Sequence, residues 1–249
     1  MPLVISLVAR KGGVGKTSAA LNLAGAALAD GIERVAVVDL DSQASLTKAL
    51  YEGHESLRLS ESVHAFAEEP RGDLLKETSV EGVSILPAHP DMRLTAGAQL
   101  HVAILDADLV LIDTPPDTSN PAVRAALLAS DAAISPVVPE AWGLQSIHGV
   151  SQLLMSTASN KHLTFAGWLP SMVQPRLAIH AVCLDTLRRL HGQSVFDAQL
   201  PHATAFKVAA AEGRPITQSQ PRSAAAKAVK AVWSETLDRL EKAAQRRVA

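Results

Sequence analysis

Cysteine is nearly absent from this chain: Cys183 stands alone among 249 residues. That excludes a disulfide framework, a Cys-ligated iron–sulfur cluster and a Cys-based zinc site within one chain. A lone thiol fits a reducing compartment. Aromatic residues make up only 3%, so few rings are available for stacking the bases of a single strand. No apolar run approaches the roughly 18 residues that a membrane-spanning helix needs. Net charge is also small, formally −2. Bulk attraction to nucleic acid is therefore missing, and any DNA binding must come from a local patch. The first seven residues are apolar with no basic residue before them, which reads as a strand and not as a signal peptide.

What is present is globular. Apolar residues reach 47% and charged ones 19%, which rules out a disordered or highly charged tail protein. Short apolar runs cover residues 3–9, 34–39, 83–86, 109–113, 132–138, 163–169 and 195–200. Most lack polar alternation, the pattern of strands covered on both faces. Helical patterns lie between them, over 17–30, 120–130, 144–157, 180–191 and 224–246. The alternation predicts an α/β fold with a mostly parallel twisted sheet of about seven or eight strands and helices on both faces. No linker or repeat interrupts it, so one domain over 1–249 is expected. Residues 51–80 are polar and weakly periodic. The last helix is amphipathic, with Val229, Val232, Trp233, Thr236, Leu237 and Leu240 on one stripe. Lys227, Lys230, Arg239, Lys242, Arg246 and Arg247 are read on its other face.

The strongest signal is Lys11-Gly12-Gly13-Val14-Gly15-Lys16-Thr17-Ser18, between a strand and an Ala/Leu helix. Glycines let backbone N–H groups crowd around phosphate oxygens, and the helix N-terminus adds partial positive charge. In this context Lys16 reaches the β- and γ-phosphates, and the Thr17 hydroxyl ligates Mg²⁺. Arg10 stands where the usual loop has its first glycine, and Lys11 directly precedes the glycine pair. A second cation beside a loop already served by Lys16 has little use for one nucleotide in one subunit.

Two further segments carry carboxylates. The strand over 34–39 ends in Asp39-Leu40-Asp41-Ser42-Gln43, at the sheet edge where α/β proteins bind ligands. A capping role for Asp41, at a helix beginning near Ser42, is the alternative. Leu109-Val110-Leu111-Ile112-Asp113 is followed by Thr114-Pro115-Pro116, whose prolines end the strand. Asp113 is placed to hold Mg²⁺ through water.

Together these motifs resemble the ParA/MinD family of deviant Walker A P-loop ATPases, and the resemblance runs from Pro2 to about Leu240. It is closest to the short DNA-partition members that lack an operator-binding segment ahead of the loop. It implies a P-loop NTPase fold, ATP or ADP as ligand, and Mg²⁺. It implies that Lys11 crosses a homodimer interface to the partner's phosphates, that Asp41 positions the attacking water and that Asp39 supports the metal site. The family reads Asp-x-Asp-Pro-Gln where this chain has Ser42. The loops around Met172 and Pro201 correspond to those that hold adenine. Relatives then carry DNA-binding arginines, whereas Ala205 and Ala224 occupy those places here. Lys207, Arg214, Arg222, Lys227 and Lys230 are the basic face that could replace them.

The implied function is ATP-dependent DNA segregation. An ATP-bound sandwich dimer binds nonspecific double-stranded DNA, and a ParB-like partner stimulates otherwise slow hydrolysis. The implied setting is a bacterial cytoplasm, near the nucleoid, without stable membrane insertion. Three alternatives stay open: a MinD-like membrane-surface ATPase using the last helix, a positioner of another cargo, and a metabolic P-loop enzyme.

Overall fold

The computed structural model describes residues 1–157 and 162–248. Its centre is a seven-stranded sheet. The strands are β1 (Leu3–Leu7), β2 (Val35–Asp39), β3 (Lys76–Glu77), β4 (Val83–Leu86), β5 (Leu109–Asp113), β6 (Ala132–Val137) and β7 (Thr164–Pro170). Across the sheet they run β3-β4-β2-β5-β1-β6-β7. All pairs are parallel except β3, which lies antiparallel on β4. The helices are α1 (Lys16–Ala29), α2 (Ser45–Leu50), α3 (Val63–Glu68), α4 (Pro121–Leu128), α5 (Ala141–Ser156), α6 (Ala178–His191), α7 (Thr204–Ala211), α8 (Ile216–Ser219) and α9 (Ala224–Val248).

Alternate residues of the central strands enter opposite layers. Ile5, Leu7, Val37 and Leu111 pack with buried residues of α1, α8 and α9. Val4, Val38, Val110 and Ile112 turn the other way, toward α3 and α4. Both faces are covered, which is why these strands read as unbroken apolar runs. A third cluster joins β6 and β7 to α5 and α6 through Ala133, Trp168, Val150 and Leu187.

The segment 195–200 departs from the sequence reading. It forms no strand, only isolated bridges from Trp168 to Val195 and from Val173 to Pro201. The reason lies in its backbone donors. The N–H groups of Asp197 and Ala198 go to the carboxylate of Glu235 on α9, at 3.0 and 2.7 Å, so a continuous ladder cannot form. The weakly periodic stretch 51–80 resolves into short 3₁₀ turns, α3 and β3.

The outer face expected for α9 is also only partly there. Arg239 turns inward, donating to the carbonyls of Ala166 and Val195 at 2.9 and 2.6 Å and lying 4.3 Å over the Phe196 ring. Arg247 donates to the carbonyl of His162 at 2.8 Å. Trp233 is buried, and its indole N–H donates to Asp30 at 3.0 Å. Both the apolar stripe and two of the arginines therefore bind the helix to the sheet layer. Among the described residues no helix is long and apolar enough to cross a membrane.

Candidate functional site

β1 and α1 are joined by the glycine loop, at the carboxyl edge of the sheet. Gly13 and Gly15 hold φ of +73° and +92°, a region that side chains resist. Gly15 caps α1 without a side-chain hydrogen bond, and the first turn holds no acidic residue. The first N–H groups of this helix and its dipole thus point at an anion site.

The two lysines of the loop lie in opposite surroundings. Lys16 is 6% exposed. Burial pushes its ammonium below the usual lysine range, while the charges of Asp113 and Asp41 push it back up. Lys11 is exposed and makes no hydrogen bond or ion pair among the described residues. The neighbouring Arg10 runs across α5, where a Cβ on Gly149 would lie 2.6 Å from its Cδ.

Behind Lys16, Asp39 and Asp113 stand side by side in register on β2 and β5. Both are fully buried, and burial raises both carboxyls above the usual range. Their protein partners differ. Asp113 accepts the Thr17 hydroxyl through Oδ2 at 2.5 Å, while its Oδ1 is buried without a partner. Asp39 is occupied on both oxygens. Oδ1 accepts the Asp41 N–H at 3.1 Å, and Oδ2 accepts the Thr47 N–H and hydroxyl at 2.9 and 2.8 Å. Asp39 therefore anchors the turn that carries Asp41. That turn closes through Gln43 N–H on Asp41 Oδ1 at 3.0 Å and passes through Ala44 at φ +54° before α2.

The other wall is built by the chain after β7. Ser171 Oγ donates to the carbonyl of Val14 at 2.6 Å, tying this wall to the glycine loop. Met172 follows at φ +52°. With Pro201 it lines a cleft of about 420 Å³ that opens beside Gly15, Thr17 and Ser18. Met172 and Pro201 are thus brought together with the phosphate loop. Lys207 is exposed and lines the same cleft. Arg214, Arg222, Lys227 and Lys230 are exposed, and Lys230 shares a shallow cleft with Asp30, Trp233 and Asp238.

Thr47 carries no motif in the sequence, and Ser171 and Thr114 carry no role of their own there. Thr114 Oγ1 donates to the carbonyl of Leu7 at 2.7 Å, joining the exits of β5 and β1. For Thr114 and Ser171 the local signal is a small hydroxyl residue directly after a strand, whereas Thr47 lies inside α2.

A glycine loop between a parallel strand and a helix, with a buried lysine and a threonine bonded to the aspartate of the next strand, defines a P-loop nucleoside triphosphatase. Comparison with known proteins narrows the class. A family model described as "AAA domain" matches residues 3–164, which include the loop and both carboxylate segments. The chromosome-partitioning ATPase Soj of Thermus thermophilus is 33% identical over 96% of this chain and 97% of its own length. Among solved structures, a plasmid partition protein of Borrelia burgdorferi bound to AMPPNP superposes with a TM-score of 0.75 at 19% identity, covering 97% of this chain and 99% of that one. The septum site-determining protein MinD of Pyrococcus horikoshii, complexed with Mg-ADP, gives 0.73 at 23% identity, covering 94% and 96%. The chain belongs to the ParA/MinD family of P-loop ATPases and is related to ParA.

Proposed function

We propose that this chain is a DNA-partition ATPase, acting as one domain that ends in α9. In this reading it binds ATP with Mg²⁺, dimerises around it and holds nonspecific double-stranded DNA until hydrolysis. The observation that carries the reading is Lys11. It is an exposed cation with no partner among the described residues, beside a phosphate site that already has its buried lysine. A second subunit's nucleotide is the anion it suits.

The residues fit the ligands. The orphaned Oδ1 of Asp113 and the Thr17 hydroxyl are hard oxygen donors, the type Mg²⁺ takes. Bound magnesium would neutralise charge on the phosphates. Gly13, Gly15 and Lys16 cradle the phosphates, with Gly12, Val14 and Ser18 completing the loop. Asp41, held by Asp39, orients the attacking water more than it deprotonates it. Met172 and Pro201 take the base. Slow turnover follows, because the site is completed only by a second copy and by a ParB-like partner on the cargo.

Arg214, Arg222, Lys227 and Lys230 supply the contacts to DNA phosphates in this reading. Two copies in a dimer double that face, so the contacts come from a local patch and not from the net charge of −2 per chain. A surface role for α9 on membranes is less well supported, because its apolar stripe packs on the sheet layer.

The test is binding to random-sequence DNA with ATP, ADP or no nucleotide, at two salt concentrations. Binding should need ATP, weaken with salt, vanish in Lys16→Ala and persist in Asp41→Ala. ATP-driven dimerisation without DNA binding would refute the partition reading and turn attention to another surface.

A further inference from the structure

We propose that His180 is a positioning residue for the nucleotide base, acting through the loop that follows β7. The inference rests on the ATP-binding reading above and deepens it.

That loop is held at three points. Ser171 Oγ donates to the Val14 carbonyl at 2.6 Å. Val173 N–H donates to the Leu200 carbonyl, and His202 N–H to the Val173 carbonyl, each at 3.0 Å. Gln174 N–H donates to His180 Nδ1 at 3.1 Å. Between the first two points sits Met172 at φ +52°. A methionine stays in that region only where its neighbours over-determine it. Met172, with Ser171, also lines the cleft beside Gly15.

His180 is suited to this task. It lies on the first turn of α6 and is 2% exposed, so its ring is fixed by packing. Its Nδ1 is the acceptor for the Gln174 N–H, which places the proton of the neutral ring on Nε2. Removing that acceptor leaves the Gln174 N–H without a partner, and the loop must then shift to find one. Met172 would relax to a common backbone conformation, and the wall facing the base would move. The contacts to phosphate come from Gly13, Gly15 and Lys16 on a separate loop. The effect should therefore fall on the base and spare the phosphates.

Calorimetric titration of ADP and of inorganic tripolyphosphate tests this in the parent, His180→Leu and His180→Asn. His180→Leu should weaken ADP by about five- to 150-fold, the range for one buried hydrogen bond left unmade. Tripolyphosphate should bind as before. His180→Asn, whose amide oxygen can stand in for Nδ1, should recover most of the loss. In steady state KM should rise while kcat stays close to the parent's. Unchanged ADP affinity in His180→Leu overturns the proposal, and so does an equal loss for ADP and tripolyphosphate, which would signal general loosening. Amide hydrogen exchange in the parent needs no variant. A protected Gln174 N–H supports the arrangement, and rapid exchange there overturns it even if His180→Leu does not fold. A parent that binds neither ADP nor ATP removes the nucleotide reading and this inference together. A parent that binds both, with His180→Leu binding equally well, removes the inference alone.

Discussion

Asp39 and Asp113 bring two carboxyl groups together at the buried edge of β2 and β5. Burial raises the cost of charging both, and the charge of Asp39 adds to that cost at Asp113. Asp39 has three protein donors to offset this, while Asp113 has one and an unpaired oxygen. The free protein therefore carries a cost at Asp113 that a bound cation would relieve. The sign follows from linkage: a carboxyl raised above its unfolded value loses stability as pH climbs from the ordinary range of about 4 to about 7, where it ionises in the fold. Asp113→Asn should thus raise the melting temperature of the nucleotide-free protein at pH 7.5. A gain of about 1 kcal/mol corresponds to roughly 2–4 °C for a chain of this size. The gain should shrink toward pH 5, where the parent's carboxyl is itself protonated. Thermal unfolding across that range checks it, and a lower melting temperature at pH 7.5 would contradict it. The same substitution should abolish hydrolysis, so stability and activity move in opposite directions at one residue.

Among the elements, α1 is the one that everything else leans on. It opens at the phosphate loop, and its other end meets α8 and α9. Gly25 makes the approach to α8 possible, because a Cβ there would lie 2.3 Å from Pro215 Cβ and 2.5 Å from Thr217 Oγ1. Asn22 adds a fixed point, its Oδ1 accepting the Ile216 N–H at 2.7 Å. Gly25→Ala should raise helix propensity yet destabilise the protein by about 1–3 kcal/mol through overpacking. Urea denaturation measures this, and a stabilised variant would show that α8 can move away at little cost. The longer helices, α1, α5, α6 and α9, were legible because apolar periodicity needs several turns to show itself. In α4 the cap agrees, with Asn120 Oδ1 accepting the Ala122 N–H at 2.9 Å and Pro121 entering the first turn. The short α2, α7 and α8 and the two-residue β3 gave no such signal. The segment 195–200 is apolar enough for a strand, but two of its donors, at Asp197 and Ala198, are taken by Glu235, 38 and 37 residues away in sequence.

At the scale of the whole molecule, the sheet edge presents one complete phosphate loop and Lys11, a lysine unpartnered among the described residues. If Lys11 serves a second subunit, its removal should separate binding from assembly. Lys11→Ala should bind ATP nearly as the parent does and remain monomeric with ATP, whereas the parent dimerises. Light scattering after size exclusion reads this directly, and a Lys11→Ala dimer with ATP would remove the reason given for that lysine. DNA binding should be lost along with the dimer, since one copy presents only half of the basic face. Arg239 and Arg247, which hold α9 to the sheet layer, should not contribute to it.

The primary structure alone determined the class of this protein. The phosphate loop, the strand ending at Asp113, the turn at Asp41 and the strand–helix alternation are carried by residues close together in the chain. Their chemistry depends on local spacing, so they can be read in order. What tertiary structure alone decided is which of those residues face one another, and which plain residues support them. Thr17 meets Asp113 across 96 residues and Ser171 meets Val14 across 157. Lys207 joins the cleft and Arg239 turns inward because α7 and α9 pack where the strand order puts them. Such contacts depend on the order of strands in the sheet and on the burial of both its faces, which no short window of sequence records.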